Sequence, residues 1–207
     1  MLGEGVHFRL ECVFMPTILE ISMSLDGFVA GANVSIDNPM GDGGERIHDW
    51  LFGAKTMADT AIIADMMDHL GAVILGRRTF DLGEGPWGDD PPFPVPCFVL
   101  TRRARPPVVK KGTTIAFVDR GIEAALALAK QAAGDKNVLI MGGATVARQY
   151  IKAGLLDEIH IHLAHQLLGG GDRLFEDAGA LRLHKVKVVE STAVTHLKFR
   201  VIEEGSE

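Results

Sequence analysis

Several features that mark specialised protein classes are missing from this 207-residue chain. It has two cysteines, Cys12 and Cys97, with no CxxC pair and no Cys/His cluster of zinc spacing, so we expect free, reduced thiols. No apolar run reaches the roughly 20 residues needed to cross a bilayer. The beginning of the chain lacks a basic segment followed by an apolar one, so we expect no secretory signal and a cytoplasmic protein.

An excess of basic residues is missing as well. The formal net charge is −6 and the pI is about 5.7, which argues against a nucleic-acid binder that works through a broad basic face. We find no internal repeat, low-complexity segment or inter-domain linker. The length predicts a single domain with a sizeable core, formed by residues 15–207. Residues 1–14 have no clear period and are predicted to be a loose extension.

Strand-like and helix-like segments alternate along the middle of the chain. The predicted strands are 17–22, 72–76, 96–101, 113–118, 137–141 and 158–168, and the predicted helices are 56–70, 120–133 and 145–153. Asp119 is predicted to cap the second helix. A loop is predicted over 31–49, and a hairpin over 185–203. This order predicts an α/β fold with a mostly parallel sheet, helices on both faces and an antiparallel edge.

Three of these strands end in groups that suit an anion. "VILGRRTF" and "VLIMGGATVA" each place glycine, backbone amides and a hydroxyl at a predicted helix start, and "VLTRRAR" adds further arginines. Unpaired amides at helix N-termini favour phosphate, and guanidinium groups match its geometry. Taken singly, the paired glycines also fit a plain tight turn, the arginines also fit a solvated surface, and the full G-x-G-x-x-G fingerprint is absent.

The order of five motifs resembles the dihydrofolate reductase-like superfamily. They are "ISMSLDGFVAG", "VILGRRTF", "FVLTRR", "VLIMGGATVARQYI" and "LLDEIHIHLAHQLLGGGDRLF", and the resemblance spans about residues 16–203. It is closest to stand-alone members of the riboflavin-pathway deaminase-reductase C-terminal domain family. The resemblance implies a three-layer α/β fold, NADPH as cofactor, a small-molecule substrate and a homodimer.

Carried over residue by residue, the resemblance implies a cofactor site along four strand ends. The implied residues are Ser22, Asp26 and Gly27 on the nicotinamide-ribose side; Gly76, Arg77, Arg78 and Thr79 at the phosphates; Thr101, Arg102 and Arg103 at the 2′-phosphate; and Gly142, Gly143, Ala144, Thr145 and Val146 at the pyrophosphate. The first of the paired glycines would permit a tight turn, and the second would let phosphate approach the backbone.

The substrate side matches the resemblance less closely. Asp59 is the implied proton donor, although an aspartate in the first turn of a helix is also explained by the helix dipole. Trp50 and His162 are candidates for the substrate pocket. Met141 stands where riboflavin-pathway reductases tend to carry a glutamate that faces the pyrimidine, and the deaminase motifs are absent.

The segment "HIHLAH" leaves three possibilities open. His160 and His162 lie on one face of a strand and suit a metal site if a third ligand is present, but they also fit a pocket wall or a satisfied structural pair. His165, three positions further on, lies where the pattern switches to the other face and does not supply that ligand, so we predict no metal. The leading hypothesis for the function is an NADPH-dependent reductase of a pterin-like or pyrimidine-like substrate. The alternatives are a nucleotide- or phosphate-binding module without turnover and a flavin-binding protein.

Overall fold

The computed structural model describes residues 15–202. The predicted loose extension, residues 1–14, lies outside the described residues, as do residues 203–207. None of the helices in the described part of the chain is long and apolar enough to cross a membrane.

Within the described residues, nine strands form the central sheet, in the order β10-β11-β8-β1-β7-β3-β4-β6-β5, and β2 and β9 form a small second sheet. The strands are β1 (Thr17–Ser24), β2 (Phe28–Ala30), β3 (Leu70–Gly76), β4 (Cys97–Leu100), β5 (Val108–Lys110), β6 (Thr113–Val118), β7 (Asn137–Gly142), β8 (Glu158–Ala164), β9 (Asp172–Arg173), β10 (Arg182–Glu190) and β11 (Val194–Ile202). The run from β8 to β6 is parallel, and both ends of the sheet are antiparallel.

Helices cover both faces of the sheet. They are the 3₁₀ helix Gly44–His48, α1 (Asp49–Phe52), α2 (Met57–His69), α3 (Arg77–Trp87), α4 (Gly121–Ala133) and α5 (Ala144–Lys152). One face packs against α4 and α5, where Ala125 and Tyr150 are completely buried, and the other packs against α2 and α3, where Phe80 is buried. Every residue of β3 is buried because it lies between these two layers. The predicted three-layer α/β fold is confirmed.

Three local predictions were wrong. The predicted loop 31–49 contains the 3₁₀ helix and the start of α1, a pattern too short to give a clear period, which forms because Ile47 and Trp50 are buried. Asp119 does not cap α4, because that helix starts at Gly121 with φ 89° and its N-cap residue is Arg120. The strand predicted over 158–168 ends at Ala164, where Gln166 turns back to bond its carbonyl.

Candidate functional site

The three anion-suited segments end side by side in the sheet. β7, β3 and β4 are consecutive parallel strands, in which Leu75 pairs with Gly142 and Gly76 pairs with Leu100. The carboxyl ends of these strands therefore bring the Gly142-Gly143 turn, the start of α3 and the Thr101 turn to one edge. Open α/β sheets bind their ligands at such an edge.

The two glycines of the β7–α5 turn have different conformations. Gly142 has φ 94°, in the left-handed region that favours glycine, and the peptide bond between the pair is cis. Gly143 has φ −64°, which any residue adopts, and a Cβ there would lie 3.4 Å from Thr79 Oγ1. The Gly143 amide donates to that hydroxyl at 2.9 Å, so Thr79 ties the β7 turn to α3.

Two helices begin at this edge without a cap. α3 follows Gly76 and α5 follows Gly143, and neither has a side-chain cap or an acidic residue in its first turn. By contrast, α2 starts with a complete capping box between Thr56 and Asp59. The partial positive charge at the starts of α3 and α5 is therefore not balanced by an acidic residue in the first turn.

The residues around the α5 start split between surface and core. Thr145 is exposed in the first turn, whereas Ala144 and Val146 are buried. Val146 packs against the β3–α3 turn, because a Cβ at Gly76 would lie only 3.0 Å from its Cγ2. Glycine at position 76 thus allows the close packing of two adjacent turns.

The arginines of the three segments fall into two groups. Arg77 bonds Asp81 at 2.7 Å and Arg78 bonds Asp172 at 3.4 Å, so both carry partners on the surface. Arg102 and Arg103 are exposed, and within residues 15–202 neither has a carboxylate within 4.0 Å. Thr101 Oγ1 accepts the Arg103 amide at 3.2 Å and fixes their turn.

The loop after β1 is held by Asp26. Its carboxylate accepts the Ser24 hydroxyl at 2.6 Å and the amides of Leu168 and Gly169 at 3.1 and 2.7 Å. Partial burial would raise the pKa of Asp26, but these hydrogen bonds hold it at about 2. Gly27 follows with φ 86°. Asp26 therefore joins the β1 loop to the loop after β8.

A polar cluster lies on the face of the sheet below α1 and α2. The Trp50 ring lies 4.1 Å from the His162 ring, and its Nε1–H donates to Ser22 Oγ at 2.9 Å. All three side chains are buried. Met141 is partly exposed and, by alternation with Leu139, faces the same side from β7.

Asp59 belongs to this cluster and does not face solvent. It is 2% exposed, and its Oδ1 accepts His196 Nε2–H at 2.9 Å, while Oδ2 accepts the Thr56 amide and hydroxyl at 2.8 Å each. Burial would raise the pKa of Asp59, but the Thr56 amide and His196 hold it at about 2. Asp59 is thus both a helix-capping residue and half of a buried ionisable pair.

Sequence reasoning missed the partners of His160 and His162, the first two histidines in "HIHLAH". Glu20 bonds His160 Nδ1 at 2.8 Å and His162 Nε2 at 2.7 Å, and His196 bonds the other nitrogen of His162 at 2.8 Å. The available signals were a glutamate inside the apolar strand "TILEIS" and a histidine inside "THLKF". Within residues 15–202, no group of three or more His, Cys, Asp or Glu side chains has the geometry to hold a metal ion.

A solvent-open cleft with an empty volume of about 320 Å³ lies at the opposite end of α2. Its lining includes Glu20, His160, Asp65, His69 and Lys198. None of the glycine turns at the carboxyl edge lines it, so this cleft is separate from the anion-suited edge.

At this edge of the sheet, the glycine pair that follows β7 lies next to the arginine-containing turn that follows β3. A sequence model of the RibD C-terminal domain matches residues 17–197. This chain belongs to the RibD C-terminal domain family. The family predicted from the five motifs is therefore confirmed.

Individual relatives of this RibD-type chain agree with that membership. The uncharacterized protein YwjB of Bacillus subtilis (strain 168) is 30% identical over 164 residues, covering 78% of this chain and 83% of YwjB. The fold is similar to that of a protein of Shewanella sp. PV-4 assigned by name to riboflavin biosynthesis, with a TM-score of 0.68, 25% identity and coverage of 91% and 100%. It is also similar to dihydrofolate reductase of Enterococcus faecalis in complex with NADP(H), with a TM-score of 0.59, 16% identity and coverage of 92% and 99%.

Proposed function

We propose that this protein is an NADPH-dependent reductase of a small heterocyclic substrate, pterin-like or pyrimidine-like. One observation carries the proposal: three adjacent strand ends offer two uncapped helix starts and two exposed arginines that have no carboxylate partner among residues 15–202. A nucleotide with a pyrophosphate and a separate 2′-phosphate needs two such anion sites. Membership in a family with reductase relatives supports the same cofactor.

The residues at this edge of the sheet fit NADPH. Gly143 leaves room that a Cβ would fill, so a phosphate can approach the amides at the start of α5. Arg102 and Arg103 are exposed at the turn after β4, where they would meet the 2′-phosphate. Asp26 would act indirectly, since its carboxylate already holds two loops together. The remaining proposed cofactor residues are Ser22, Gly27, Gly76, Arg77, Arg78, Thr79, Thr101, Gly142, Ala144, Thr145 and Val146.

NADPH supplies a hydride when bound, and the chain must then position the substrate and provide one proton. Asp59 is the proposed source of that proton, passed through the partly exposed Thr56 hydroxyl, which donates to Asp59 Oδ2. Trp50 and His162 would support the substrate pocket from below, and Met141 would line it at the end of β7. With Met141 in place of an acidic side chain, the substrate need not offer a hydrogen-bond donor at that point.

Turnover of NADPH with a panel of pterins and aminopyrimidines tests the proposal. We expect oxidation with at least one of them, and we expect Asp59→Asn to lower the rate by about 100-fold, a usual contribution of general acid catalysis. Asp68→Asn, an exposed aspartate on the same helix, is the matched control. NADPH binding without oxidation of any substrate would instead favour a binding module without turnover.

A further inference from the structure

Six titratable side chains form one continuous hydrogen-bonded row across the sheet. Five contacts of 2.7–2.9 Å join them in the order Glu158, His160, Glu20, His162, His196, Asp59. The row passes through β8, β1, β11 and α2, and its last member is the proposed proton source. Its members other than Glu158 are buried, so their polar atoms are satisfied by hydrogen bonds within the row, apart from Asp59 Oδ2, which is bonded to Thr56.

The contacts fix how many protons the two central histidines hold. His162 Nε2 faces Glu20 and His196 Nε2 faces Asp59, and ionised carboxylates only accept, so both Nε2 atoms carry a proton. The two Nδ1 atoms lie 2.8 Å apart, and a hydrogen bond between them needs one further proton. Together the rings hold three protons and a single positive charge.

Two carboxylates favour this charge, and burial opposes it. Glu20 from β1 and Asp59 from α2 bracket it, and hydrogen bonds from His160 and His162 outweigh burial to keep the pKa of Glu20 low. His48 on the 3₁₀ helix lies close enough to His162 to interact with it electrostatically. Farther along the row, His160 on β8 is bonded to Glu20 and Glu158, and Lys198 on β11 lies near His160 and is bonded to Asp65. Burial lowers the pKa of His196, and its bond to Asp59 opposes that shift.

The Trp50 ring closes the pair off from solvent. It stacks at 4.1 Å on His162 and meets His196 edge-on at 5.0 Å, and both histidines are almost completely buried. Asp59 is bonded both to His196 and to the partly exposed Thr56. A proton that leaves the pair toward the site therefore passes through Asp59.

We propose that His162 and His196 form a buried store of one proton that supplies Asp59 during reduction, a role that rests on the proposed function. The Nδ1–H bond of His162 breaks as one forms on His196 Nδ1, and the Nε2–H bond of His196 breaks as an O–H bond forms on Asp59. Both rings are then neutral. After Asp59 has passed its proton toward the substrate, one proton from water returns along the same path. His162 and His196 are positioning and storage residues, not groups that touch the substrate.

A carboxylate that is anionic at neutral pH needs such a store. With its pKa held at about 2, Asp59 carries almost no proton of its own near neutral pH. The contact between the two Nδ1 atoms instead places a proton on the rings. The proton thus rests on the rings and visits Asp59 only in transit.

Nitrogen-15 NMR of the resting protein, labelled at histidine, tests the store without any substrate. We expect His162 and His196 to show protonated Nε2 atoms and one shared Nδ1 proton at neutral pH. The side chain of His165 bonds Thr195 and lies outside the row, so His165→Gln should leave both signals unchanged. Two neutral rings without a shared proton would overturn the proposal, whether or not the protein oxidises NADPH.

The pH dependence of NADPH oxidation tests the supply. In His196→Gln, which keeps a hydrogen-bond donor toward Asp59 but has no titratable nitrogen, we expect the rate of NADPH oxidation near neutral pH to be about tenfold lower and to depend on pH differently from the wild type. The profile of His165→Gln should match that of the wild type. A His196→Gln profile parallel to the wild type would overturn the supply role. If the shared proton is observed but the protein does not oxidise NADPH with any substrate, the proposed function is refuted. The supply role then falls with it, and only the charged histidine pair remains.

Discussion

At the scale of single residues, the two glycines after β7 are expected to have different roles. Gly142 is required for the backbone conformation of the turn, and Gly143 for the approach of a ligand. Gly142→Ala places a side chain at φ 94° and 3.3 Å from Ile21, and we expect a loss of about 1–2 kcal/mol in unfolding free energy. Gly143→Ala, at φ −64°, should cost much less. Urea unfolding of both variants measures this difference. Equal losses at the two positions would contradict the account of the turn.

Asp59 makes the fold sensitive to acid. Its folded pKa of about 2 lies below the ordinary value, so its stabilising effect is present above about pH 4 and is lost as the pH falls toward 2. Asp59→Asn should therefore reduce stability near neutral pH and flatten the loss of stability between about pH 4 and 2. The urea midpoint as a function of pH checks this, with exposed Asp68→Asn as the control. An unchanged acid slope in Asp59→Asn would show that other carboxylates carry it.

Local backbone conformation could be predicted from the sequence better than the long-range contacts of single residues. The positive φ of Gly142 follows from glycine placed between a strand and a helix, and that prediction needs only local chemistry. The burial of Asp59 and its bond to His196 could not be predicted, because the two residues lie 137 positions apart and meet only through the sheet register. The same holds for Glu20 and His162.

At the scale of elements, the turn after β4 is expected to decide between nucleotides. Arg102→Ala combined with Arg103→Ala removes two exposed guanidinium groups, and each charge-assisted hydrogen bond contributes about 1.5–3 kcal/mol. We expect the Kd for NADPH to rise at least about tenfold, with little change for NADH. Isothermal titration measures both, and Arg182→Ala, exposed at the far edge of the sheet, is the control. Equal weakening for both nucleotides would remove the 2′-phosphate assignment.

The elements themselves were predictable where hydrophobic pattern alone decides. β3 and β7 are continuous apolar runs, and such runs indicate strands buried on both faces. The 3₁₀ helix and α1 were missed because nine residues rich in polar side chains give no period, and they form only where Trp50 can cover a polar part of the sheet. Tertiary burial, not local preference, fixes that segment.

At the scale of the whole molecule, the exposed terminal hairpin supports the expected homodimer. β10 lies at the edge of the sheet with Leu183, Val186 and Val188 exposed by 37–49%. Lys185 and Lys187 flank a bulge there, which disfavours edge-to-edge strand pairing, so we expect contact through the face of the hairpin. Val188→Glu should yield monomers in sedimentation velocity, whereas Val109→Glu, on the opposite edge of the sheet, should not. A monomeric wild type would contradict the expectation.

The central claim is that NADPH binds where β7, β3 and β4 end, and thermal unfolding with NADPH, with NADH and without nucleotide tests it most directly. A ligand present at about 100 times its Kd stabilises the native state by about 2.7 kcal/mol, which for a domain of this size raises the Tm by about 5–10 °C. We predict such a shift with NADPH, a smaller one with NADH, and none in Gly143→Val, whose side chain fills the space beside Thr79. The absence of any shift with either nucleotide at millimolar concentration would contradict the account.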